Sequence, residues 1–547
     1  MTQPLNLISD PWLPVRHRSG ARSLIRPAQI VVGLENDPII DLDWPRADFR
    51  IASLEFLIGL LATACPPADH RAWGQRWRQP PTVAALDAAF APLVPAFWLD
   101  GPGPRFMQDH EDLQSGSEPV ERLLIDAPGE STIKRNADLF VHRAQVGRLG
   151  RGAAAMALFT LQSWAPSGGA GNMTGLRGGG PLTTLVLPEE GAGLWAVAWA
   201  NVPCGSAADP AAMPRIFPWM APTIASGNKG VVREGVNAHA LQCWWGMPRR
   251  IRLDFAPAQG APCDLTGRVD GVLVTSWRQR PYGPKYAGWI GQPYGGAVIH
   301  PLTPRYRQKA TTEWLAVHPQ PGGIGYRHWT GVVVSSTDTN RLPASCVADW
   351  RNARAVEIGL LDTARLLAAG FDMDNMKARG FVESEMPLPG TQGADMRDAL
   401  DDLARDCVGA AVLVADILRG CVRDALAGKG TVSVDVTLLA NVRERFWLDT
   451  ETGFFNTLRS GSREGSDDMA LKRAWLGMLG QAARRQFDAT VKLEPDTDPA
   501  RAQACAWART RLFTAVAGTS KEGVGLLNML ALPVPVKTKT KTARKGA

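Results

Sequence analysis

The sequence texture, meaning the residue composition and the spacing of apolar residues, changes near residue 385 and divides this chain into parts that need different architectures. Before it, Pro, Gly and Trp are frequent and the apolar runs are short. After the linker-like "PLPGTQGADM" (387–396), apolar residues recur at steps of three and four, which lines one face of an α-helix. A length of 547 residues also exceeds what one hydrophobic core supports. The sequence therefore predicts two or three domains.

Four helical segments are predicted after this change. The first carries one apolar stripe of Leu400, Leu403, Cys407, Ala411, Val414, Leu418 and Cys421. The second is "VDVTLLANVRERFWLDTETGFFNTL" (434–458), and two more surround Trp475 and Leu512. Short polar breaks join them, so a four-helix bundle over 389–532 is the arrangement that buries all four stripes. The basic residues 533–547 are predicted to form a disordered tail, which either binds polyanions or only keeps the chain soluble.

Residues 1–388 are predicted to form a large, irregular, mixed α/β domain with long loops. "PLTTLVLP" (181–188), "GGAVIHPLTPRY" (295–306) and "WTGVVVSS" (329–336) predict strands and turns. "DFRIASLEFLIGLLATAC" (48–65) predicts an amphipathic helix. Together with the bundle, this domain gives the α+β fold class. Loops of this length inside a compact domain usually carry function.

Charge and cysteine usage limit the function classes. The net charge of +7 favours a polyanionic partner. The eight Cys form no C-x-x-C pair and none has a His at zinc-finger spacing, a pattern typical of free thiols in a reducing cytoplasm. No signal peptide and no membrane span is predicted. We therefore expect a cytoplasmic protein without a metal site.

Motifs of enzyme chemistry are absent from the sequence. It has no nucleophile elbow, no zinc-protease motif and no P-loop, and its eight His are dispersed. Asp372 and Asp374 are carboxylates of the kind that hold Mg²⁺, although this spacing is more typical of turns and caps. A binding protein without a cofactor is favoured over an enzyme. Two alternatives stay open: a protein that binds nucleic acid non-specifically, and a hydrolase whose site is assembled from distant residues.

Four motifs in a fixed order carry a family resemblance. They are "NLISDPWLPV" (6–15), "GLRGGGPLTTLV" (175–186), "HPLTPRY" (300–306) and "GFDMDNMKARGFVESEMPL" (370–388). With a C-terminal bundle, this order resembles the CasA family, the large subunit of type I-E CRISPR Cascade, over nearly the whole chain except the tail. The resemblance implies a non-catalytic subunit of an RNA-guided surveillance complex. Its partners would be guide crRNA, other Cascade subunits, duplex target DNA with its displaced strand, and the helicase-nuclease that it recruits.

The glycine-rich stretch "APSGGAGNMTGLRGGG" (165–180) gains a role from this resemblance. In the family, a glycine loop lies against the protospacer-adjacent motif (PAM) from the minor groove, and the matching residues are Gly168, Gly169, Ala170 and Gly171. The minor groove is only about 6 Å wide, and a backbone without Cβ atoms is able to enter it. Arg177 is expected to contact a phosphate nearby. Without the resemblance, a glycine-rich turn that caps a strand is the favoured interpretation.

The family's wedge, which helps to open the duplex, matches Asp374, Asn375 and Met376. Asn375 stands at the position of a glutamine in a well-known relative, and it is one methylene shorter. An amide is able to bind base edges while the apolar Met376 pushes against the first base pair. The alternative is that Asn375 caps a helix formed by "MKARGF" (376–381), and both roles are compatible.

The family's lysine finger falls in "WRQRPYGPKYAGW" (277–289). We assign it to Lys285, with Arg278 and Arg280 as alternatives. Some relatives carry a C-x-x-C pair upstream, whereas Cys263 of "CDLTG" has no such partner, so zinc is not expected.

Two further contacts are implied. Phe140, Val141, His142 and Arg143 match the start of a loop that contacts the guide, a partner subunit or the PAM. Basic residues follow it at Arg148 and Arg151, and we expect this loop to become ordered on binding, an ordinary mobile loop being the alternative. In the bundle, we expect contacts to the displaced strand from Arg484 and Arg485.

Overall fold

The computed structural model describes residues 3–139, 141–166, 171–232, 236–286, 300–309, 314–335, 340–374, 377–428, 433–492 and 498–535. The chain divides into two compact units. The first unit comprises Met1–Ile324 and Gly331–Leu388, and the second comprises Gly325–Thr330 and Pro389–Ala547. The division after Leu388 coincides with the change in sequence texture. The short segment Gly325–Thr330 belongs to the second unit although it lies far upstream of that change.

The first unit is built from short strands and short helices. Its strands are β1 (Leu13–His17), β2 (Arg22–Ile25), β3 (Ile39–Leu42), β4 (Ser117–Pro119), β5 (Leu149–Gly150), β6 (Thr183–Leu187), β7 (Val231–Val232), β8 (Arg250–Pro257), β9 (Val272–Arg280), β10 (Lys285–Tyr286), β11 (Arg305–Tyr306), β12 (Leu315–Ala316), β13 (Arg341–Leu342), β14 (Arg365–Asp374) and β15 (Lys377–Pro387). Its helices are α1 (Ala47–Ala64), α2 (His70–Arg78), α3 (Val83–Phe90), α4 (Glu130–Lys134), α5 (Arg151–Trp164), α6 (Leu194–Ala200), α7 (Met213–Ile216), α8 (Gln242–Trp245), α9 (Trp329–Val332, which begins in the second unit), α10 (Ser345–Asp349) and α11 (Ala355–Ile358). A π-helical turn, Trp350–Arg354, joins α10 to α11.

The strands pair into small sheets, and one of them positions the candidate site. In this sheet the order is β15–β14–β6, and both pairings are antiparallel. The strand predicted around residues 183–187 is confirmed as β6. The other sheets have the orders β2–β1–β3, β10–β7, β12–β11–β13 and β4–β9–β5, and β8 also pairs with β9.

Two sequence predictions in this region need correction. The helix α1 exists, but it is not amphipathic: residues 51–63 are all buried, because α5, α6 and α8 pack around it. The predicted strand "WTGVVVSS" is wrong at its start, since Trp329–Val332 forms the helix α9 directly after the 3₁₀ turn Tyr326–His328. The apolar residues there are buried as expected, but in helical geometry.

The second unit is helical, as predicted. Its helices are α12 (Ala394–Ala427), α13 (Val436–Gly461), α14 (Asp468–Thr490), α15 (Pro499–Val516) and a shorter α16 (Lys521–Met529). The predicted apolar stripe of α12 is buried along its whole length. The sequence analysis missed α16, whose cap is Ser520, which accepts a hydrogen bond from the Gly523 amide. Residues 536–547 of the expected tail lie outside the described residues.

The upstream segment Gly325–Thr330 completes the core of the second unit. The Tyr326 ring stacks on Phe454 with 4.6 Å between the ring centroids, and its hydroxyl lies 2.6 Å from the Thr450 hydroxyl. Trp329 packs against Phe455 with 5.5 Å between centroids. This segment therefore adds aromatic surface that the four stripes alone do not supply. Within the described part of the chain, no helix combines the length and apolar character needed to cross a membrane.

A buried ion pair joins distant segments of the first unit. Arg177 Nη2 donates to Glu55 Oε1 on α1, and the two side chains are only 4% and 1% exposed. Arg177 Nη1 also donates to the Thr303 hydroxyl at 3.1 Å, and Trp164 Nε1 donates to Glu55 Oε2 at 3.2 Å. Arg177 is therefore unavailable for the phosphate contact that we expected of it, because its guanidinium lies in the core and is already compensated.

His300 belongs to the same cluster and is neutral. Its Nδ1 accepts a hydrogen bond from the Leu302 amide at 3.2 Å and faces Arg177 Nη1 at 3.5 Å. Burial and the neighbouring Arg177 hold the pKa of His300 well below its usual range. The motifs "GLRGGGPLTTLV" and "HPLTPRY" thus meet at one buried polar cluster, which explains chemically why both are present.

Replacing Arg177 by Met should destabilise the first unit by about 3–5 kcal/mol, because the Glu55 carboxylate would stay buried without a cation. The double variant Glu55→Met with Arg177→Met should recover much of this loss, since no charge is then left unpaired. Denaturant unfolding of the full chain measures both. The exposed Arg71 on α2 provides the control, and Arg71→Met should stay within about 0.5 kcal/mol of the unmodified chain. An Arg177→Met variant as stable as this control would contradict the assignment.

Candidate nucleic-acid interface

Residues 171–180, here called the glycine segment, begin at a close contact with the expected finger loop. Gly171 has a φ of +77°, and its carbonyl accepts a hydrogen bond from the Tyr282 amide at 2.9 Å. A Cβ at this position would lie 2.4 Å from the Tyr282 nitrogen. Only glycine fits here, and the reason is contact with the protein itself. Gly168, Gly169 and Ala170 lie outside the described residues.

The other end of the glycine segment meets the hairpin formed by β14 and β15. Gly180 donates its amide hydrogen to the Trp164 carbonyl at 2.7 Å, and its φ is +63°. A Cβ on Gly180 would lie 2.6 Å from Met373 Cγ. Met373 immediately precedes Asp374, so the glycine segment contacts the finger loop at its first residue and the wedge-bearing hairpin at its last. The sequence named these three elements but not their proximity.

Lys285 is the cation that the finger loop leaves uncompensated. It is exposed on β10, which pairs in parallel with β7, while its neighbour Tyr286 accepts a hydrogen bond from the Met247 amide at 2.8 Å. No carboxylate pairs with Lys285 in the described part of the chain. Arg278 and Arg280, the two alternatives for the finger, do have carboxylates nearby. Arg278 binds Asp254 at 3.1 Å and Arg280 lies 4.0 Å from Glu111.

Tyr282 is a candidate residue that the sequence analysis missed. Its side chain is 52% exposed beside Gly171, and its φ of +61° places a non-glycine residue in the left-handed region. Such a conformation costs about 1–3 kcal/mol and persists only where neighbours enforce it. Here the Gly171 carbonyl binds the Tyr282 amide, and the Tyr282 carbonyl accepts from the Ser226 amide at 3.0 Å. The turn signal "RPYGP" (280–284) was the available clue.

The wedge residue Asp374 belongs to a hairpin and not to a helix. Asp374 pairs with Lys377, and the two residues between them, Asn375 and Met376, lie outside the described residues. The helix-cap alternative for Asn375 is wrong, because the residues that follow form the strand β15. Lys377 is exposed opposite Asp374 and adds a cation that the sequence analysis did not select.

Asp372 is not available as a metal ligand. Arg379 on β15 binds both of its carboxylate oxygens, with Nε donating at 3.0 Å and Nη2 at 2.7 Å. This pairing raises the pKa of the Arg379 guanidinium. Among the described residues, no group of three or more His, Cys, Asp or Glu side chains is arranged to hold a metal ion.

The loop around residue 141 is tied down by ion pairs. Arg143 Nη2 donates to Asp138 Oδ1 at 2.5 Å, which raises the pKa of Arg143 and lowers that of Asp138. Arg148 binds Asp264 at 3.0 Å. Arg151 binds Asp270 at 2.9 Å. Each of these three arginines therefore already has a carboxylate within the chain, and the ordering of the loop on binding stays a prediction.

Apolar side chains are the exposed feature of this loop. Leu139 is 72% exposed and Val141 is 41% exposed, and His142 is also exposed. Phe140, between the two aliphatic residues, lies outside the described residues. The exposed aliphatic pair is better suited to packing against another surface than to binding phosphates.

In the second unit, the two arginines expected to contact DNA differ in environment. Arg484 stacks on Phe513, with its guanidinium carbon 4.3 Å from the ring centroid. Arg485 is exposed and has no ion pair among the described residues. Of the two, Arg485 is the one whose charge is directed to solvent.

The sequence and the fold both match known proteins. The family model for CRISPR-associated protein Cse1 matches residues 6–486. CasA from Thermus thermophilus is similar in fold, with 16% identity, a TM-score of 0.68, and coverage of 94% of this chain and 100% of that chain. Cse1 from Thermobifida fusca shares 18% identity with a TM-score of 0.69 over 94% of this chain and 98% of that chain.

A third solved structure with this fold carries the description "CRISPR RNA-guided surveillance complex". Its matching chain shares 18% identity with a TM-score of 0.67, over 94% of this chain and 100% of that chain. These structural matches establish the fold over almost the whole length.

Proposed function

This chain belongs to the CRISPR-associated Cse1 family, and on that premise we propose that it is the large subunit of a type I-E Cascade complex and recognises the PAM in duplex DNA. One observation carries the proposal: the glycine segment contacts the finger loop that bears Lys285 at one end, through Gly171 and Tyr282, and the hairpin of β14 and β15 at the other end, through Gly180 and Met373. In the finger loop Lys285 has no carboxylate partner among the described residues, whereas Arg278 and Arg280 do.

We propose that the glycine loop and Lys285 recognise the PAM from the minor groove. Gly168, Gly169, Ala170 and Gly171 form the proposed glycine loop, and Lys285 donates to the acceptor atoms of base edges. The minor groove distinguishes A·T from G·C pairs but hardly A·T from T·A. We therefore propose that the complex tolerates several related PAM sequences.

Opening of the duplex is proposed to start at the hairpin tip. Asn375 and Met376 would enter beside the first base pair, while Asp374 and Lys377 flank the tip. Unstacking one base step costs a few kcal/mol. A two-stranded hairpin suits this task, because β14 pairs with β15 up to Asp374, while β6 pairs with the base of β14 at residues 365–369.

The proposed partners follow from family membership. They are guide crRNA, the other Cascade subunits and a helicase-nuclease that this non-catalytic subunit recruits. Leu139 and Val141, with Phe140, His142 and Arg143, form the proposed contact loop. The similar chain from a structure described as an RNA-guided surveillance complex supports assembly of this kind.

Lys285→Ala should weaken binding of a PAM-containing duplex by the assembled complex. A discriminating base contact is worth about 1–3 kcal/mol, so preference for the correct PAM should also fall. Competition binding against a randomised PAM library measures both quantities. Arg280→Ala is the matched control, because Glu111 accompanies that guanidinium. If Arg280→Ala has the effect and Lys285→Ala has none, the finger is misplaced. A wild-type complex with steep salt dependence but no PAM preference would favour a non-specific nucleic-acid binder.

Replacing Asn375 and Met376 together by Ala should slow R-loop formation on a paired duplex. The same variant should bind a target that is mismatched beside the PAM almost normally, because no base pair then remains to be opened. Association rates on the two DNAs measure this difference, and a melting curve of the variant controls for folding. Equal slowing on both DNAs together with a lowered melting temperature would assign these residues a structural role.

Arg485→Glu should shorten the lifetime of the R-loop while leaving PAM preference unchanged, if the second unit holds the displaced strand. Arg473→Glu, an exposed position on the same helix α14, serves as the control for charge alone. Dissociation rates of the R-loop complex measure the effect. A change in PAM preference, or an equal effect at Arg473, would contradict this proposal.

A further inference from the structure

One arginine beside the glycine segment lacks the carboxylate that its neighbours possess. Arg249 immediately precedes β8, on which Arg250 binds Asp109 at 2.6 Å and Arg252 binds Asp112 at 2.8 Å. Arg249 Nη2 donates to the Pro166 carbonyl, and its Nε is shielded from solvent without a hydrogen bond. No acidic side chain among the described residues faces its guanidinium.

Arg249 lies where the two ends of the proposed glycine loop are held. Its guanidinium binds Pro166, which precedes that loop in the chain. On the other side, the amides of Tyr282 and Gly283 both donate to the Gly171 carbonyl. Gly283 also adjoins Arg249, because a Cβ on Gly283 would lie 3.1 Å from Arg249 Cα. Gln162 fixes the arginine's own backbone, because its side-chain oxygen accepts from the Arg249 amide at 3.0 Å.

The charge of Arg249 is retained in this environment. Burial lowers its pKa to about 10, so the guanidinium is still protonated at neutral pH. Burial of a cation without a counter-ion destabilises a protein, and binding of an anion relieves that cost. The residue keeps part of its surface exposed, and its Nη1 has no hydrogen bond among the described residues. A guanidinium offers paired donors that match two oxygens of a phosphate.

We propose that Arg249 binds a backbone phosphate of the target DNA at the point where the duplex meets the glycine segment. The inference rests on the proposed function, because it takes DNA as the anion that approaches this region. It moves to Arg249 the phosphate contact that the sequence had suggested for Arg177. Lys285 then reads base edges, and Arg249 fixes the position of the backbone beside it.

The test is the salt dependence of duplex binding by the assembled complex, with the variants Arg249→Gln and Arg249→Lys. Each neutralised phosphate contributes about 0.9 to the slope of log affinity against log salt concentration. Arg249→Gln should therefore lower the slope by about one unit on duplexes with and without the PAM. Arg249→Lys should keep the slope but bind roughly three- to tenfold more weakly, because a lysine ammonium lacks the paired donors of a guanidinium. Arg71→Gln, at the exposed position on α2, is the control and should leave the slope unchanged.

A structural role makes a different forecast. If Arg249 serves only to hold the loop through Pro166, Arg249→Gln should lower the melting temperature of the DNA-free chain and leave the salt slope intact. That result, or a wild-type affinity for Arg249→Lys, would overturn the proposal. Its failure is distinguishable from failure of the proposed function. In the latter case the wild-type complex shows no PAM preference, while the slope comparison still reports whether Arg249 meets a phosphate.

Discussion

The buried ion pair between Arg177 and Glu55 is the interaction on which the first unit depends. It fixes the glycine segment to α1, and through Thr303 and His300 it also fixes the "HPLTPRY" segment. Two charges in the core are tolerated only because each satisfies the other and the remaining donors find acceptors. This pair therefore holds Arg177, and with it the second half of the glycine segment, against α1.

Missing Cβ atoms then determine how closely these elements approach. At Gly171 the backbone contacts the Tyr282 amide, and at Gly180 it contacts β14 near Met373. A Cβ at either position would collide with backbone atoms, the Tyr282 nitrogen at Gly171 and the Phe371 carbonyl oxygen, 2.8 Å away, at Gly180. The glycines at positions 171 and 180 thus permit close packing within the protein itself. Access to DNA by the adjacent loop is a consequence that we propose, since the same close packing brings Lys285 and the hairpin alongside.

Compensation of charge separates structural cations from candidate functional ones. Arg143, Arg148 and Arg151 are near carboxylates and hold their loops in place. Lys285 and Arg249 have no such partner in the described part of the chain, and both lie beside the glycine segment. Counting basic residues in the sequence cannot make this distinction, because it depends on which carboxylates the fold brings within about 4 Å.

The sequence by itself determined the helical character of the second unit and the strand at 183–187, because periodicity and turn residues act over short distances. It also indicated Lys285 and the hairpin segment through family resemblance. The tertiary structure decided what local pattern cannot encode: that Arg177 is buried, that residues 51–63 of α1 are buried on all sides, that a strand and not a helix begins at Lys377, and that Tyr282 and Arg249 adjoin the glycine segment. These outcomes rest on contacts between residues more than a hundred positions apart in several cases, such as Glu55 with Arg177, and only the packed chain brings such residues together.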